Sequence, residues 1–178
     1  QSCKGLIPTP LDVRNEEAVS VLMRESDAVM SAIPDYFNLR LAELAVKAGT
    51  HLADLGGNTE IVFGQKKLND EAAASGVTVV PDCGLAPGMV NILAQYGISQ
   101  LDTTDKVRIY VGGLPQHPEP PLNYQVVYSL EDVLDYYTTL SCIIRDGKRE
   151  QVKAISEMEP VEFTSPVGNL ETFHTADG

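Results

Sequence analysis

The first 100 residues alternate short apolar runs with amphipathic stretches, and this alternation constrains the fold more than any other feature of the chain. Residues 4–13 (KGLIPTPLDV) read as a strand ending at Asp12. Asn15 then caps a helix, with Glu16 and Glu17 in its first turn, where unpaired N–H groups and the helix dipole favour anions. Ala18, Val21 and Leu22 are the expected apolar stripe of that helix. Residues 27–34 (DAVMSAIP) read as a short strand with an apolar centre on both faces, as in buried parallel sheets. Leu41, Leu44, Ala45 and Ala48 mark the next helix, and Gly49 ends it. Residues 51–58 (HLADLGGN) form a strand running into a glycine turn. A helix over residues 65–75 closes at Gly76, and residues 77–82 (VTVVPD) are the following strand. Met89, Ile92, Leu93 and Tyr96 then fall on one helical face. Strand–helix alternation of this kind predicts right-handed βαβ units on a parallel sheet.

After residue 100 the pattern changes. Residues 105–115 (DKVRIYVGGLP) and 124–129 (YQVVYS) read as longer antiparallel strands around a proline-rich loop. A short helix follows from Ser129 through Tyr137, and Asp146-Gly147 marks a tight hairpin turn. EMEPVEF and LETFHT add two further strands. The expected class is α/β: a parallel-sheet domain over residues 1–100, then part of an α+β domain over 101–178 built mainly on one antiparallel sheet.

Charge and cysteine usage exclude several function classes. With 25 acidic against 13 basic residues the net charge is −12, and no Lys/Arg stripe is present, so a phosphate backbone is repelled and nucleic-acid binding is not expected. Apolar runs of only a few residues are too short for a transmembrane helix, and no secretory leader pattern opens the chain. Cys3, Cys83 and Cys142 are widely spaced with no CxxC pair, which fits a reducing, cytoplasmic setting without disulfides or structural zinc. His51, His117 and His174 share no metal-ligand spacing, so no metal site is expected.

Ligands of open parallel sheets sit beyond the carboxyl ends of the strands. The groups expected there are Asp12-Val13, Ser31 to Pro34, Asp54 to Asn58, and Asp82 to Gly88, all along one edge. Glycines in such a rim let a flat ligand approach the backbone, though Gly56-Gly57 also fits a plain sharp turn. The helix beginning near Pro87 is expected to present free N–H groups to a carboxylate, carboxamide or phosphate. Cys83 reads as a small buried residue rather than a nucleophile. Asp82, between an apolar strand and a prolyl turn, reads as a partly desolvated hydrogen-bond acceptor or a base with a raised pKa. His51 reads as a core histidine opening a strand, His117 as solvated, and His174 equally as a strand-end residue or a catalytic one.

The run SDAVMSAIPDYFNLRLAELAVKAGTHLADLGGNTEIV, followed by AAASGVTVVPDCGLAPGMVNILA, resembles the saccharopine dehydrogenase-like family, most closely its L-lysine 6-dehydrogenase branch. YVGGLPQHPEPPLNYQVVYSLEDVLDYYT and SEMEPVEFTSPVGNLETFHTADG resemble the second domain of that branch. The resemblance covers essentially the whole chain, with PDCGLAPGMVN its most specific segment. It implies the later part of a Rossmann-type sheet followed by part of a catalytic and dimerisation domain. It further implies an oxidoreductase that uses NAD or NADP, a small amino-acid substrate, and a homodimer.

By position, Asp12 resembles the acid at the end of the third Rossmann strand, near the adenine. Ile33 and Pro34 resemble the segment passing the cofactor ribose, and Gly56 and Gly57 the strand end near the nicotinamide. Asp82, Gly84, Pro87, Gly88 and Met89 resemble the loop between nicotinamide and substrate, and His174 with Thr175 a segment facing the cleft. The general base is expected at Asp82, with Glu159 or His174 as alternates. No GxGxxG occurs, although the family carries one on its first strand, so the chain reads as an internal portion of a longer polypeptide. Two other readings stay open: a polyamine-forming relative of the carboxynorspermidine or homospermidine synthase type, and a non-catalytic interaction module.

Overall fold

The computed structural model describes residues 5–121, 123–125 and 130–176. The chain divides into two compact units, Gln1–Cys83 and Gly84–Gly178.

In the first unit, helix α1 (Glu16–Arg24) starts as expected: the Asn15 side chain accepts from the Ala18 N–H at 3.1 Å. Its buried stripe is Val19 and Met23, whereas Val21 and Leu22 stay 44% and 40% exposed. The rotation follows from its neighbour, because α1 lies against α2 (Asn38–Ala48), whose Leu41, Ala42, Leu44 and Ala45 share a core with Val19 and Met23. A 3₁₀ turn at Asp35–Phe37 leads into α2. Gly49 ends it in the left-handed region at φ +76°, a conformation that costs glycine nothing.

Strands β1 (Ala28–Ser31), β2 (His51–Asp54) and β3 (Val79–Val80) pair in parallel in that order. The expected helix over 65–75 is two helices, α3 (Thr59–Lys66) and α4 (Asn69–Ala74). They break where Lys67 and Leu68 donate to Gly64 and Gln65, the i→i−3 pattern of a tightened last turn.

Successive right-handed crossovers step the same way across this sheet, which keeps their helices on one face. Val29, Leu52 and Val79 are in register across the three strands and pack on that side, with Leu52 in the α1–α2 core and Val79 also against Val46, Ala72 and Val77. The opposite row, Met30, Ala53 and Val80, includes side chains 65% and 44% exposed at Met30 and Val80. The segment expected to be buried on both faces is thus covered on one among the described residues.

The strand expected at 4–13 does not form: residues 6–12 carry no strand, and Leu6 and Ile7 are 75% and 87% exposed. A strand needs a neighbour for its N–H and C=O groups. In the doubly wound order 3-2-1-4-5-6 the third strand does not adjoin the fourth, and the order β1-β2-β3 seen here matches the fourth to sixth strands running outward on one side.

The second unit begins at Gly84, and its first helix is α5 (Met89–Ser99). Helix α6 (Leu130–Thr138) buries Val133. Strands β4 (Ser141–Arg145) and β5 (Lys148–Val152) form an antiparallel ribbon turned by Asp146 and Gly147 at φ +51° and +72°, the doubly left-handed turn that the Asp-Gly pair predicts. Strands β6 (Glu159–Glu162) and β7 (Asn169–Thr172) form a second ribbon. Among the described residues, two separate two-stranded sheets therefore stand where one antiparallel sheet was expected.

Residues 106–115 belong to no strand, and of the expected strand at 124–129, residues 126–129 lie outside the described residues. The alternation there was nonetheless informative. Arg108 and Tyr110, two residues apart, both reach Glu159, and the Tyr110 ring meets Phe163 edge-on at 6.1 Å. Side chains make the contact while the backbone bonds of a sheet do not form. No helix among the described residues is long and apolar enough to cross a membrane.

Candidate functional site

Ser31 and Asp54 are register partners, so β1 and β2 end side by side, and the loop after β3 joins them at the same edge. The glycine pair after β2 is wedged between two acids. A Cβ on Gly57, at φ +129°, would sit 3.0 Å from Asp35 Cβ; a Cβ on Gly56, at φ +74°, would sit 2.0 Å from Asp82 Oδ1. Both positions therefore require glycine, for conformation and for space. Asp82 is half-buried and itself left-handed at φ +58°. Ile33 is 39% exposed, and Pro34, also exposed, opens the 3₁₀ turn that brings Asp35 against Gly57. The rim is a backbone-lined ledge flanked by the Asp35 and Asp82 carboxylates.

The sequence placed Asp54 at this edge but assigned it no role, and it is the residue that organises the ledge. Asp54, fully buried, accepts from the Gly56 N–H at 2.8 Å, from the Asp82 N–H at 3.3 Å and from Gln65 Nε2 at 2.6 Å. Its carbonyl accepts from the Cys83 N–H at 2.7 Å. The available signal was an acid as the last residue of an otherwise apolar strand.

Other expected positions fall differently. Asp12 lies in an exposed turn, not at a strand end. Arg14 binds it through Nε and Nη2, both at 2.9 Å, and holds its carboxyl below the usual range. Cys83 is exposed rather than buried. His51 is also exposed, its Nδ1 accepting from the Thr78 N–H at 3.0 Å, and His117 is solvated as expected. A shallow cavity of about 260 Å³, lined by Val13, Phe37, Leu41 and Leu44 with Arg14 and Arg40, contains none of the rim residues, and carboxylates occupy both arginines.

In the second unit Gly84, Pro87, Gly88 and Met89 form the turn into α5, with Gly88 at φ +131°. The free N–H groups expected at this helix start are already engaged. Gly88 donates to Asn91 Oδ1 at 2.9 Å, Met89 to the Gly84 carbonyl at 2.9 Å, Val90 to that of Leu85 at 3.0 Å, and Asn91 to that of Gly88 at 3.1 Å. The turn caps its own helix, which removes the anion site inferred from position alone.

Glu159 is bound by Arg108 Nη1 at 3.0 Å and by Tyr110 Oη at 3.0 Å. His174 Nε2 lies 3.4 Å from Glu157, and Arg145 pairs with the same glutamate at 2.7 Å. Arg145, and to a smaller extent His174, hold the Glu157 carboxyl below its ordinary value. Among the described residues no group of three or more His, Cys, Asp or Glu is placed to hold a metal.

Comparison with known proteins gives this geometry a family. Residues 3–80 match the saccharopine dehydrogenase NADP binding domain, and residues 84–178 match the saccharopine dehydrogenase C-terminal domain. The chain belongs to the saccharopine dehydrogenase family. This saccharopine dehydrogenase family chain is 28% identical over 150 residues to saccharopine dehydrogenase (NADP(+), L-glutamate-forming) of Saccharomyces cerevisiae, covering 81% of the chain and 33% of that protein. It is 25% identical over 181 residues to the mitochondrial alpha-aminoadipic semialdehyde synthase of Mus musculus, covering 96% of the chain and 19% of that protein.

Among solved structures, the apo histidine-tagged saccharopine dehydrogenase (L-Glu forming) from Saccharomyces cerevisiae superimposes with a TM-score of 0.70 at 25% identity, covering 92% of this chain and 38% of the other. The chain thus spans about a third of the yeast enzyme's length and about a fifth of the mouse protein's. The expected α/β fold class is shown by this match, and the NAD or NADP expectation agrees with the NADP-binding family covering the first unit.

Proposed function

We propose that this chain contributes the nicotinamide side of the cofactor site, and part of the amino-acid site, of a dehydrogenase acting at the amine-bearing carbon of lysine or of a lysine adduct such as saccharopine. The observation that carries this reading is the Gly56–Gly57 pair at the end of the second parallel strand, where the backbone is left bare between Asp35 and Asp82. The NADP named in the relatives' descriptions favours NADP over NAD.

The cofactor supplies a hydride acceptor. The chain's own residues position and deprotonate. Loss of hydride from carbon requires an amine without its extra proton, so an acceptor must take that proton first. Asp82 is the assigned acceptor: it stands on the ledge against Gly56, half-buried at the third strand end. Glu159, bound by Arg108 and Tyr110, is an alternate. His174 can pass a proton only in company with Glu157. Ile33 and Pro34 border the ledge where the ribose of a nicotinamide nucleotide would lie.

Turnover of the full-length protein with saccharopine, lysine and diamines, each with NAD or NADP, tests the reading. The account expects oxidation of lysine or saccharopine and a loss of about 100-fold or more in Asp82→Ala. Preference for a diamine plus an aldehyde would instead favour a polyamine-forming enzyme. The absent GxGxxG supports a non-catalytic module as the rival, and that rival gains if no nicotinamide nucleotide binds at all.

A further inference from the structure

Beneath the ledge runs a chain of buried polar side chains that touches all three strand ends. Ser31, the last residue of β1, donates through Oγ to Asn38 Oδ1 at 2.7 Å. The Asn38 carbonyl lies 3.5 Å from Gln65 Nε2, which donates to Asp54 Oδ2 at 2.6 Å. Asp54, the last residue of β2, accepts from Gly56 and from Asp82, the second residue after β3. Ser31, Asn38, Gln65 and Asp54 are 5%, 2%, 3% and 0% exposed.

A carboxylate withdrawn completely from water is costly unless its oxygens are satisfied. Here the satisfying groups are neutral N–H donors, and two of the three belong to the backbone of the ledge. Apolar replacement in such a position would orphan those two amides. Gln65 Oε1, meanwhile, is buried without a partner, so the amide is held through its Nε2, by Asp54 at 2.6 Å and more loosely by the Asn38 carbonyl at 3.5 Å.

We propose that Asp54 is the positioning residue of the site: its carboxylate latches the Gly56–Gly57 loop to the Asp82–Cys83 loop, so that ledge and proton acceptor move as one body. Asp54 does not touch cofactor or substrate. It acts through the two amides it binds. The functional half of the inference rests on the cofactor reading above; the structural half does not. What is latched is an acceptor oxygen rather than a charge. Asparagine can supply the same Oδ1 to Gly56 and Asp82, while Gln65, turned over, would offer its now unpartnered Oε1 to the new amide.

The test uses the full chain with Asp54→Leu, Asp54→Asn and Gln65→Leu, reading amide hydrogen exchange by segment and NADPH affinity by fluorescence. In D54L, residues 55–58 and 82–83 should exchange faster by about tenfold or more, while α1 and the β4–β5 ribbon keep wild-type rates. NADPH affinity should fall by a similar factor. D54N should retain the protection of both loops, which a generic loss of stability would not allow. D54L with unchanged loop protection overturns the latch, as does D54N losing protection as fully as D54L. Should D54L fail to fold, Gln65→Leu decides: a smaller increase confined to the same two segments supports the latch, and none overturns it. If wild-type chain binds no NADPH, the cofactor reading fails while the exchange rates still decide the role of Asp54.

Discussion

The first unit seals Asp54, Asn38, Gln65 and Ser31 beneath its strand ends and stacks two helices on one face of its sheet, with Leu52 fully enclosed. Among its described residues the second unit has two hairpins and two helices, and those that are buried are Val133, Val152, Ala176 and Ser141. Ion pairs lie on the surface of both units, Arg14 with Asp12 and Arg40 with Glu16 in the first and Arg108 with Glu159 and Arg145 with Glu150 and Glu157 in the second, but the second has fewer buried described residues behind them. Exposed pairs of this kind contribute little, whereas burial of a leucine-sized side chain is worth a few kcal/mol. The contrast shows where rigidity resides. The ledge stands on a packed core and an interior polar chain, while the ribbons depend on turn geometry and solvated charge.

The sharpest way to break this contrast is to hollow out the core. Leu52→Ala should cost about 2–5 kcal/mol in chemical denaturation of the first unit, and Val152→Ala in the second about 1–2 kcal/mol. Equal losses would mean that the units are held alike. Gly56→Ala comes next, because its Cβ would collide with Asp82 and its backbone is left-handed; a loss of about 1–3 kcal/mol is expected together with loss of NADPH binding. Gly147→Ala, at φ +72° in open space, should cost about 1 kcal/mol through conformation alone and leave NADPH affinity untouched. Asn15→Ala removes the α1 cap for about 1 kcal/mol, seen as faster amide exchange at Ala18.

The smallest effect belongs to the charged ribbons. Glu157 has a carboxyl held low by Arg145, so its folded value lies below its unfolded one. Its contribution is present above the ordinary glutamate range and is lost as the pH falls through the lowered folded value. The difference in melting temperature between wild type and Glu157→Gln should therefore be constant near neutrality and vanish in acid. A difference that grows on acidification would contradict the pairing.

What the sequence made legible follows the same division. Local signals transferred directly: the Asn15 cap, the Gly49 stop and the Asp146-Gly147 turn each depend on a few neighbouring residues. Helix α2 was readable because Leu41, Leu44 and Ala45 face a core on the side their spacing demands. Features set by distant partners were not. The stripe of α1 turned to Val19 and Met23 because α2 lies there, and residues 4–13 had strand composition but no strand beside them. Within the site, Gly56, Gly57 and Asp82 were visible as residue types at strand ends. Asp54 was placed among them without a role, because nothing in HLAD says that its carboxylate turns inward to meet amides 2 and 28 residues away. The helix start at Gly88 misled for the opposite reason: its N–H groups looked available until the turn before it was seen to occupy them.

That the nicotinamide ring lies on the ledge formed by Ile33, Gly56, Gly57 and Asp82 is tested most directly by amide NMR of the chain during titration with NADPH to millimolar concentration. The account predicts saturable shifts at the amides of Ile33, Asp35, Gly56, Gly57 and Asp82, with those of the β4–β5 ribbon unmoved. Saturable shifts confined to other residues, or none at all, would contradict it.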